Sequence, residues 1–332
     1  MMKQSLCALA IAVAAVGCSS KSDDPPKAPA APAIALSFPA TVVAPGVEDT
    51  QCVVMRLGNV APLHIGSVHN VLGDASHHLI VYAVNDTVEK TTPFHCKPFT
   101  DTLDPSKGAP LMVTQKKDDL LALPSGVAYS LAPNQMMRLE MHFINASAAP
   151  KTVTATTTMT PISDDDFRDE AGFLFIGNPD IKLAPKSTHV LGPSFFEIPH
   201  ELSGVKFFAM TGHEHQLGTN VQVAMSVDYN DPGKMVYDVP GWQWSEPKTE
   251  VFETPFTVPD SGGFNFTCSW NNTTDQQVSF GESANAEMCF FWAYYYPSQG
   301  ARVCFHTSRL GGVGGGDICC PGDALCGFAN KF

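Results

Sequence analysis

The stretch VKFFAMTGHEHQLG, residues 205–218, joins a strand-like apolar run to two histidines that lie two positions apart. Alternate residues of a β-strand point to the same face, so the side chains of His213 and His215 are expected to project side by side. Two imidazoles in this arrangement can converge on one metal ion; two ordinary half-buried histidines are the alternative interpretation. The spacing excludes the zinc-protease pattern, in which histidines four residues apart on a helix flank a glutamate.

Apolar runs of the same kind recur along the chain, separated by turn clusters such as DPSKG at residues 104–108. They are short and rich in β-branched and aromatic residues, which favours strands. The mature chain has no stretch in which apolar residues recur at the three- and four-residue spacing of a helix. We therefore predict an all-β protein with two consecutive antiparallel β-sandwich domains, jelly-roll-like, and a Cys/Gly-rich C-terminal tail. The predicted strands are Val53–Leu57, Leu79–Val84, Val127–Leu131, Leu139–Ile144, Val153–Met159, Gly172–Ile176, His189–Leu191, Val205–Met210, Val221–Val227, Val251–Val258, Phe264–Trp270 and Met288–Tyr296.

Breaks in composition give the predicted domain boundaries. The acidic run DDD at residues 164–166 indicates a seam, which divides the chain into an N-terminal domain at 36–163 and a C-terminal domain at 164–303. The glycine run at 311–316, together with four late cysteines, indicates a separate tail at 304–332 that is held by its own disulfides.

The N-terminal residues resemble a bacterial export signal. In residues 1–17, Lys3 precedes an apolar core that is too short to span a bilayer as a permanent anchor. The following AVGCS at 15–19 resembles a lipobox, with Ala15 where leucine is usual, and Cys18 would carry the lipid; plain secretion is the alternative. Residues 18–35 then form a Pro/Ala tether. We expect an exported protein that is lipid-anchored to the cell envelope, either at the outer membrane, in the periplasm or facing the surface.

The net charge limits which binding partners are expected, and the cysteine content indicates the redox environment of the compartment. The formal charge of −13 argues against nucleic acid, and it argues against membrane contact other than through the N-terminal lipid. Apart from Cys7 and Cys18, an even number of cysteines remains, which predicts disulfides in an exported chain. The adjacent pair Cys319-Cys320 could instead form a thiolate metal site, although an oxidising compartment disfavours it. The remaining cysteines are Cys52, Cys96, Cys268, Cys289, Cys304, Cys319, Cys320 and Cys326.

Three further segments contain residue types that bind metals. His77 and His78 are adjacent at the start of a strand, where alternation points them to opposite faces; a shared ion therefore needs a bulge or different ring nitrogens. One core and one surface histidine is the alternative. His142 lies on the strand-like RLEMHF at 138–143 and by itself is more typical of a structural histidine. A methionine such as Met288 usually packs in the hydrophobic core. Its thioether is a suitable ligand only for a soft, redox-active ion such as copper(I).

Taken together and in this order, these segments resemble the copper type II ascorbate-dependent monooxygenases, the family of dopamine β-monooxygenase and peptidylglycine α-hydroxylating monooxygenase. The resemblance covers most of residues 48–305. It includes CVVMRL at 52–57, the His-His pair, the Glu-Met-His strand and the His-x-His-x-Leu-Gly motif. It also includes EMC at 287–289, followed by YYYP at 294–297.

The resemblance implies two copper ions held in different domains. The first would store an electron, and the second would bind O₂ and substrate. The implied ligands are His77, His78 and His142 for the first copper, and His213, His215 and Met288 for the second. The resemblance also implies the disulfides Cys52–Cys96 and Cys268–Cys289, while the pairing of the four later cysteines stays unassigned.

The implied activity is hydroxylation of an sp³ C–H bond of a small molecule, with O₂ and with ascorbate or another one-electron donor. An open, solvated cleft between the two domains would suit this division of labour. A second hypothesis is a copper-binding lipoprotein that stores or delivers copper without monooxygenase activity. A third is a β-sandwich scaffold with incidental histidines, but a scaffold has no use for a thioether in register with three imidazole motifs.

Three residues depart from the family pattern around the implied substrate cleft. Thr211 stands where the peptidylglycine enzymes have an arginine for the substrate carboxylate, which argues against a peptide ending in glycine as the substrate. Glu140 replaces a glutamine and Trp292 replaces a tyrosine. Glu140 could attract a cationic amine, or it could be an exposed strand carboxylate without a partner.

Overall fold

The computed structural model describes residues 29–97, 107–310 and 315–326, so the predicted signal segment, the predicted lipidation site Cys18 and part of the predicted tether lie outside the described residues. The described part of the chain is all-β, as predicted, and its helical content is one 3₁₀ turn at His200–Leu202. Within these ranges there is no helix with the length and apolarity needed to cross a bilayer.

The strands follow one another with short connections. The first-half strands are β1 (Ile34–Val43), β2 (Glu48–Arg56), β3 (Leu63–Leu72), β4 (Ser76–Val84), β5 (Lys90–His95), β6 (Gly108–Thr114), β7 (Asp118–Ala122), β8 (Val127–Leu131), β9 (Met136–Ile144), β10 (Lys151–Ile162) and β11 (Asp169–Glu170). The second-half strands are β12 (Gly172–Gly177), β13 (Lys182–Leu183), β14 (Ser187–Glu197), β15 (Lys206–His213), β16 (Gly218–Ser226), β17 (Lys234–Asp238), β18 (Glu250–Thr257), β19 (Gly263–Asn272), β20 (Val278–Ser279), β21 (Phe290–Tyr296), β22 (Arg302–Thr307) and β23 (Gly316–Cys320).

These strands form four larger sheets. In the first half, sheet A has the order β1-β10-β3-β8-β11, with β7 also paired to β3, and sheet B has the order β5-β2-β9-β4-β6. In the second half, sheet C has the order β18-β15-β21-β12-β22-β23 and sheet D has the order β14-β19-β16-β17. The pairings are antiparallel except for β11 with β8 and β12 with β22. The predicted antiparallel sheet architecture is thus confirmed.

Residue alternation shows which sheets have one buried face and which have two. On β10, Val153, Ala155, Thr157 and Met159 are buried, whereas Thr154, Thr156 and Thr158 are more exposed, so sheet A faces the core on one side. By contrast, β21 has the sequence FFWAYYY and is buried over almost its whole length. A strand that is apolar on both faces must be covered on both faces.

Sheet C has two covered faces because it lies between two apolar layers. Ala293 and Tyr295 on β21 belong to the cluster inside the second half, while Trp292 and Tyr294 belong to the cluster that contains the first-half core. The backbone N–H of Val113 on sheet B donates a hydrogen bond to the Tyr294 hydroxyl, at 3.2 Å. Each fully buried large apolar side chain here contributes roughly 1.5–3 kcal/mol, so the two halves are docked mainly by apolar packing.

Every strand predicted from the sequence overlaps an observed strand, but several observed strands were missed. Two of them, β1 and β3, are long: β1 is interrupted by an irregularity between Phe38 and Thr41, and β3 contains Gly66. A Cβ at Gly66 would lie 2.5 Å from Ile162 Cγ2, so close packing requires the glycine that weakens the strand pattern of β3.

Residues 163–166, where the sequence predicts a seam, form the turn before β11. The described part of the predicted tail continues sheet C as β22 and β23.

All eight predicted disulfide cysteines are paired. Cys52–Cys96 and Cys268–Cys289 match the pairs that the family resemblance implies. The later cysteines, which the sequence left open, pair as Cys304–Cys319 and Cys320–Cys326. The alternative of a thiolate metal site at Cys319 and Cys320 is therefore wrong.

Two buried asparagines close equivalent turns in the two halves. The Asn145 amide donates to the carbonyls of Val43 and Ala149, each at 2.9 Å, and its side-chain oxygen accepts from the Ser147 hydroxyl at 2.7 Å. Asn272 makes the same set of bonds, including one to the carbonyl four residues later. Because each amide satisfies several backbone groups, both turns depend on one side chain.

We predict that Asn145→Ala lowers the free energy of unfolding by about 2–4 kcal/mol, because several buried groups lose their partners at once. Urea unfolding measures the loss. Asn271→Ala, at an exposed position of β19, is the matched control and should change stability by less than about 0.5 kcal/mol. Equal effects of the two variants would contradict this role of Asn145.

Candidate metal centres

Three histidines of sheet B form one cluster. His78 on β4 lies directly opposite His142 on β9, and the pairing of these strands is irregular between Ser76 and His78. This bulge allows His77 to join its neighbour on the same side, which regular alternation forbids. One ring nitrogen from each histidine lies within 4.8 Å of the others, and all three residues are buried. Of the two arrangements that would allow a shared ion, a bulge or different ring nitrogens, the bulge is present.

Glu48 orients one imidazole of this cluster. Its Oε1 lies 3.0 Å from His142 Nε2, and this hydrogen bond is the main reason that the pKa of Glu48 is lowered to about 2. The bond leaves Nδ1 of His142 as the nitrogen that can face a metal. Carboxylates that accept from the outer nitrogen of a ligand imidazole are typical of metal sites.

Burial keeps His77 and His78 uncharged at neutral pH. Desolvation, helped by the neighbouring imidazole of His142, lowers the pKa of His77 to about 3 and that of His78 well below its ordinary value. Neutral imidazoles are the form that binds metals. The Nε2 atom of His77 is buried and has no hydrogen-bond partner in the described structure. A buried ring nitrogen without a hydrogen-bond partner, beside two more imidazoles, suits a metal ion that binds imidazole ligands, and copper is one such metal.

His213 and His215 form a second pair at the end of β15. Their ring centroids are 5.1 Å apart, and both side chains are buried. The expected side-by-side placement is present, but β15 ends at His213, so His215 belongs to the following turn rather than to the strand. Outer ring nitrogens are again engaged: His215 Nδ1 lies 3.1 Å from the Ala286 carbonyl oxygen, and His213 Nδ1 lies 2.9 Å from Gln115 Oε1.

Glu287 fixes the turn that contains His215. Its carboxylate accepts hydrogen bonds from the backbone N–H groups of His215 and Leu217, at 2.9 and 2.8 Å, and from Trp270 Nε1 at 2.9 Å. Met288 follows directly and is buried, and the next residue, Cys289, is bound to Cys268 on β19. One carboxylate and one disulfide therefore place the His-x-His turn beside the methionine segment.

Glu214, between the two histidines, is fully buried, and the sequence analysis assigned it no role. Burial first, and the nearby Glu287 second, raise the pKa of Glu214. Burial raises the pKa of Glu287 as well, to about 7, whereas that of Glu214 rises to about 10 although its carboxyl accepts the Ser269 N–H at 2.9 Å. Glu214 is therefore the member of the pair that holds a proton more readily. A carboxyl at the middle position of an H-x-H motif gives no sequence signal of burial, because its charge is typical of an exposed residue.

The two clusters meet at the contact between sheets B and C. The Trp244 ring from the second half lies 5.3 Å from the His77 ring, and Gln115 from the first half bonds to His213. All six predicted ligands are less than a tenth exposed. The expectation of an open, solvated cleft is wrong, because the apolar faces of sheets B and C close on one another around the imidazoles.

A small pocket reaches the edge of the first cluster from the surface. It has a volume of about 270 Å³, and His142 forms part of its wall. Its rim is acidic, with Glu48, Asp49 and Glu282 among the lining residues. The pocket is a route by which a small molecule can approach His142 without separation of the two halves.

The three residues that depart from the family pattern are all buried. Thr211 bonds through its hydroxyl to the Thr249 hydroxyl at 2.9 Å, and the Trp292 ring packs 5.9 Å from the His213 ring. Glu140 is fully buried on β9 and accepts a hydrogen bond from the Tyr82 hydroxyl at 3.1 Å. The alternative that Glu140 is an exposed carboxylate is therefore wrong.

Comparison with known families identifies the second half. Residues 170–311 match the model for the C-terminal domain of the copper type II ascorbate-dependent monooxygenases. Residues 170–311 belong to this family. The match begins at the end of β11 and includes His213, His215 and Met288, so the second cluster lies in the part of the chain that matches a copper-dependent family.

Other comparisons add no functional information about this copper monooxygenase domain. No curated protein matches the chain. The major capsid protein P2 of bacteriophage PM2 is similar with a TM-score of 0.32 and 10% identity, covering 81% of this chain and 99% of that one. A structure of infectious bursal disease virus, Gx strain, gives a TM-score of 0.18 and 8% identity, covering 81% and 77%. Likeness at this level supports no inference.

We predict that Glu287→Gln lowers the free energy of unfolding by about 1–3 kcal/mol, because an amide NH₂ then faces one of the N–H donors that the carboxylate satisfies. Thermal or urea unfolding of the metal-free protein measures it. Glu253→Gln, at an exposed position of β18, is the control. Unchanged stability of the Glu287 variant would show that the carboxylate does not hold the His215 turn.

Proposed function

We propose that this protein is a copper-dependent monooxygenase that hydroxylates an sp³ C–H bond of a small molecule, with O₂ and with ascorbate or another one-electron donor. The observation that carries the proposal is that two buried imidazole clusters meet where the halves dock, and the second lies in a copper monooxygenase domain. A protein that used only one copper would have no need for the histidine triad in the other half.

The proposed ligand sets differ in chemistry. His77, His78 and His142 offer three imidazoles, whereas His213, His215 and Met288 offer two imidazoles and a thioether. Copper in such sites supplies one-electron redox chemistry, and a thioether favours the reduced ion. The roles of these six residues as copper ligands are part of the proposal.

The surrounding residues prepare both sites for this chemistry. Burial lowers the pKa of His77, His78, His213 and His215, which keeps these imidazoles neutral. Glu48, Gln115 and the Ala286 carbonyl bind the outer nitrogens of His142, His213 and His215. The apolar contact between sheets B and C excludes water, which protects a reactive site from side reactions. For hydroxylation, the carbon of the bound substrate must lie within roughly 3–4 Å of the reacting oxygen.

The substrate class is constrained only in part. Thr211 provides no cation for a substrate carboxylate, and the acidic pocket rim and the net charge of −13 favour neutral or cationic molecules. Glu140 is occupied by Tyr82, so in this arrangement it is not the group that would receive an amine. We therefore propose a small neutral or cationic substrate.

Copper storage or delivery without catalysis is the second candidate function. Burial of all six proposed ligands favours it, because a storage site needs no substrate access. Measurement of O₂ consumption in the presence of ascorbate distinguishes the two functions. A monooxygenase consumes O₂ in proportion to a hydroxylated product when small C–H donors such as phenethylamines are supplied, whereas a storage protein does not.

We predict that the mature protein, loaded with copper and desalted, retains two coppers per chain. Met288→Ala should lose or weaken one of them in the reduced state, because copper(I) loses its soft ligand. Metal analysis under anaerobic reduction measures the content, and Met235→Ala, at an exposed methionine on β17, is the control. Fewer than two coppers in the parent would refute the copper monooxygenase proposal.

We further propose that the protein is exported and anchored to the cell envelope by lipid on Cys18. The four disulfides support an oxidising compartment. We predict that Cys18→Ala moves the protein from the membrane fraction to the soluble fraction, since the lipid is the proposed membrane contact. Fractionation and labelling with a radioactive fatty acid test this; an unlabelled parent would indicate plain secretion.

A further inference from the structure

Gln115 reaches across the contact between the two halves to a proposed ligand. It follows β6 of sheet B directly and is almost fully buried, and its Oε1 lies 2.9 Å from Nδ1 of His213 on sheet C. A side-chain carbonyl oxygen can only accept, so Nδ1 of His213 donates the proton. The imidazole of His213 is thereby held in one tautomer by a residue of the other half.

This tautomer is the one that leaves the inner nitrogen available. Nε2 of His213 is buried and has no hydrogen-bond partner in the described part of the chain. With the proton on Nδ1, the lone pair of Nε2 is free to bind a metal. Outer hydrogen bonds of this kind fix the ring orientation of ligand histidines, and their loss typically costs 10–100-fold in metal affinity.

Glu48 makes the reciprocal connection. Besides holding His142 in its own half, it accepts from the Ala284 backbone N–H at 2.8 Å and from the Ser283 hydroxyl at 3.1 Å. These residues belong to the segment that leads to Met288. Each imidazole cluster therefore has a hydrogen-bond partner that also belongs to, or contacts, the opposite half.

We propose that Gln115 is a positioning residue through which the first half completes the second metal centre, so that high copper affinity at His213, His215 and Met288 requires the docked arrangement. The inference rests on the proposed copper sites. It makes the two halves one functional unit, in which the second centre is weakened whenever the bond between Gln115 and His213 breaks.

The first test uses the metal-free protein. We expect ¹⁵N NMR of histidine-labelled parent to show His213 with its proton on Nδ1, with His213→Ala identifying the signal. Gln115→Leu, which keeps the side-chain volume but removes the acceptor, should abolish this preference. A His213 tautomer that is the same in parent and variant would overturn the proposal. Gln115→Ala repeats the measurement if the leucine variant fails to fold.

The second test measures copper(I) affinity by competition with a chelator, while X-ray absorption follows sulfur coordination at the thioether site. Gln115→Leu should weaken the thioether site by about 10–100-fold. Gln115→Glu retains an acceptor oxygen and should restore affinity to within a few-fold of the parent. Tyr294→Phe is the matched control, because it removes a hydrogen bond between the same two sheets that touches no proposed ligand.

The outcomes separate the two proposals. Parent-like affinity in Gln115→Leu, or an equal loss in Tyr294→Phe, would overturn the role of Gln115. A parent that binds no copper would overturn the proposed function instead, and the tautomer of His213 in the metal-free protein would still decide whether Gln115 positions this imidazole.

Discussion

The packing of sheet B against sheet C is the constraint on which the rest of the molecule depends. Both sheets are apolar on two faces, and neither could be exposed without leaving large aromatic side chains such as Trp292 and Tyr294 in water. Because His78, His142 and His213 lie on strands of these same sheets, the docking that buries the aromatic residues also removes the imidazoles from water. Fold stability and site chemistry thus have one physical origin.

Burial then dictates the hydrogen bonds around the imidazoles. A buried polar atom without a partner is costly, so each histidine needs a group for its outer nitrogen. Glu48 and Gln115 meet this need for His142 and His213, and Glu287 does the same for the backbone of the His215 turn. The inner nitrogens that stay unsatisfied are the ones that a metal would use. Two of these partners also connect the halves, so the sites and the docking are energetically coupled.

The closed contact between the halves bears on what the protein does. Storage of copper benefits from buried ligands, whereas hydroxylation also requires a path for substrate and for a reductant. The acidic pocket at His142, with a volume of about 270 Å³, provides a path to the first cluster. At the contact between the halves, Gln115 covers His213 and Trp244 covers His77, and the ligand candidates of both clusters are buried there.

The all-β class, most strand positions and the family of the second half could be predicted from the chain alone, because alternating apolar residues and ligand motifs are local patterns. For a shared ion at His77 and His78, the adjacent positions left two possibilities, a bulge or different ring nitrogens, and the register shift shows the bulge. Strand β3 was not predicted, because Gly66, which is needed for close packing against Ile162 on β10, weakens its pattern. No role was predicted for Gln115 or Glu214. The closed contact between the halves and the burial of Glu140 are visible only in the folded protein. These properties arise from contacts between residues far apart in the chain, which no local pattern encodes.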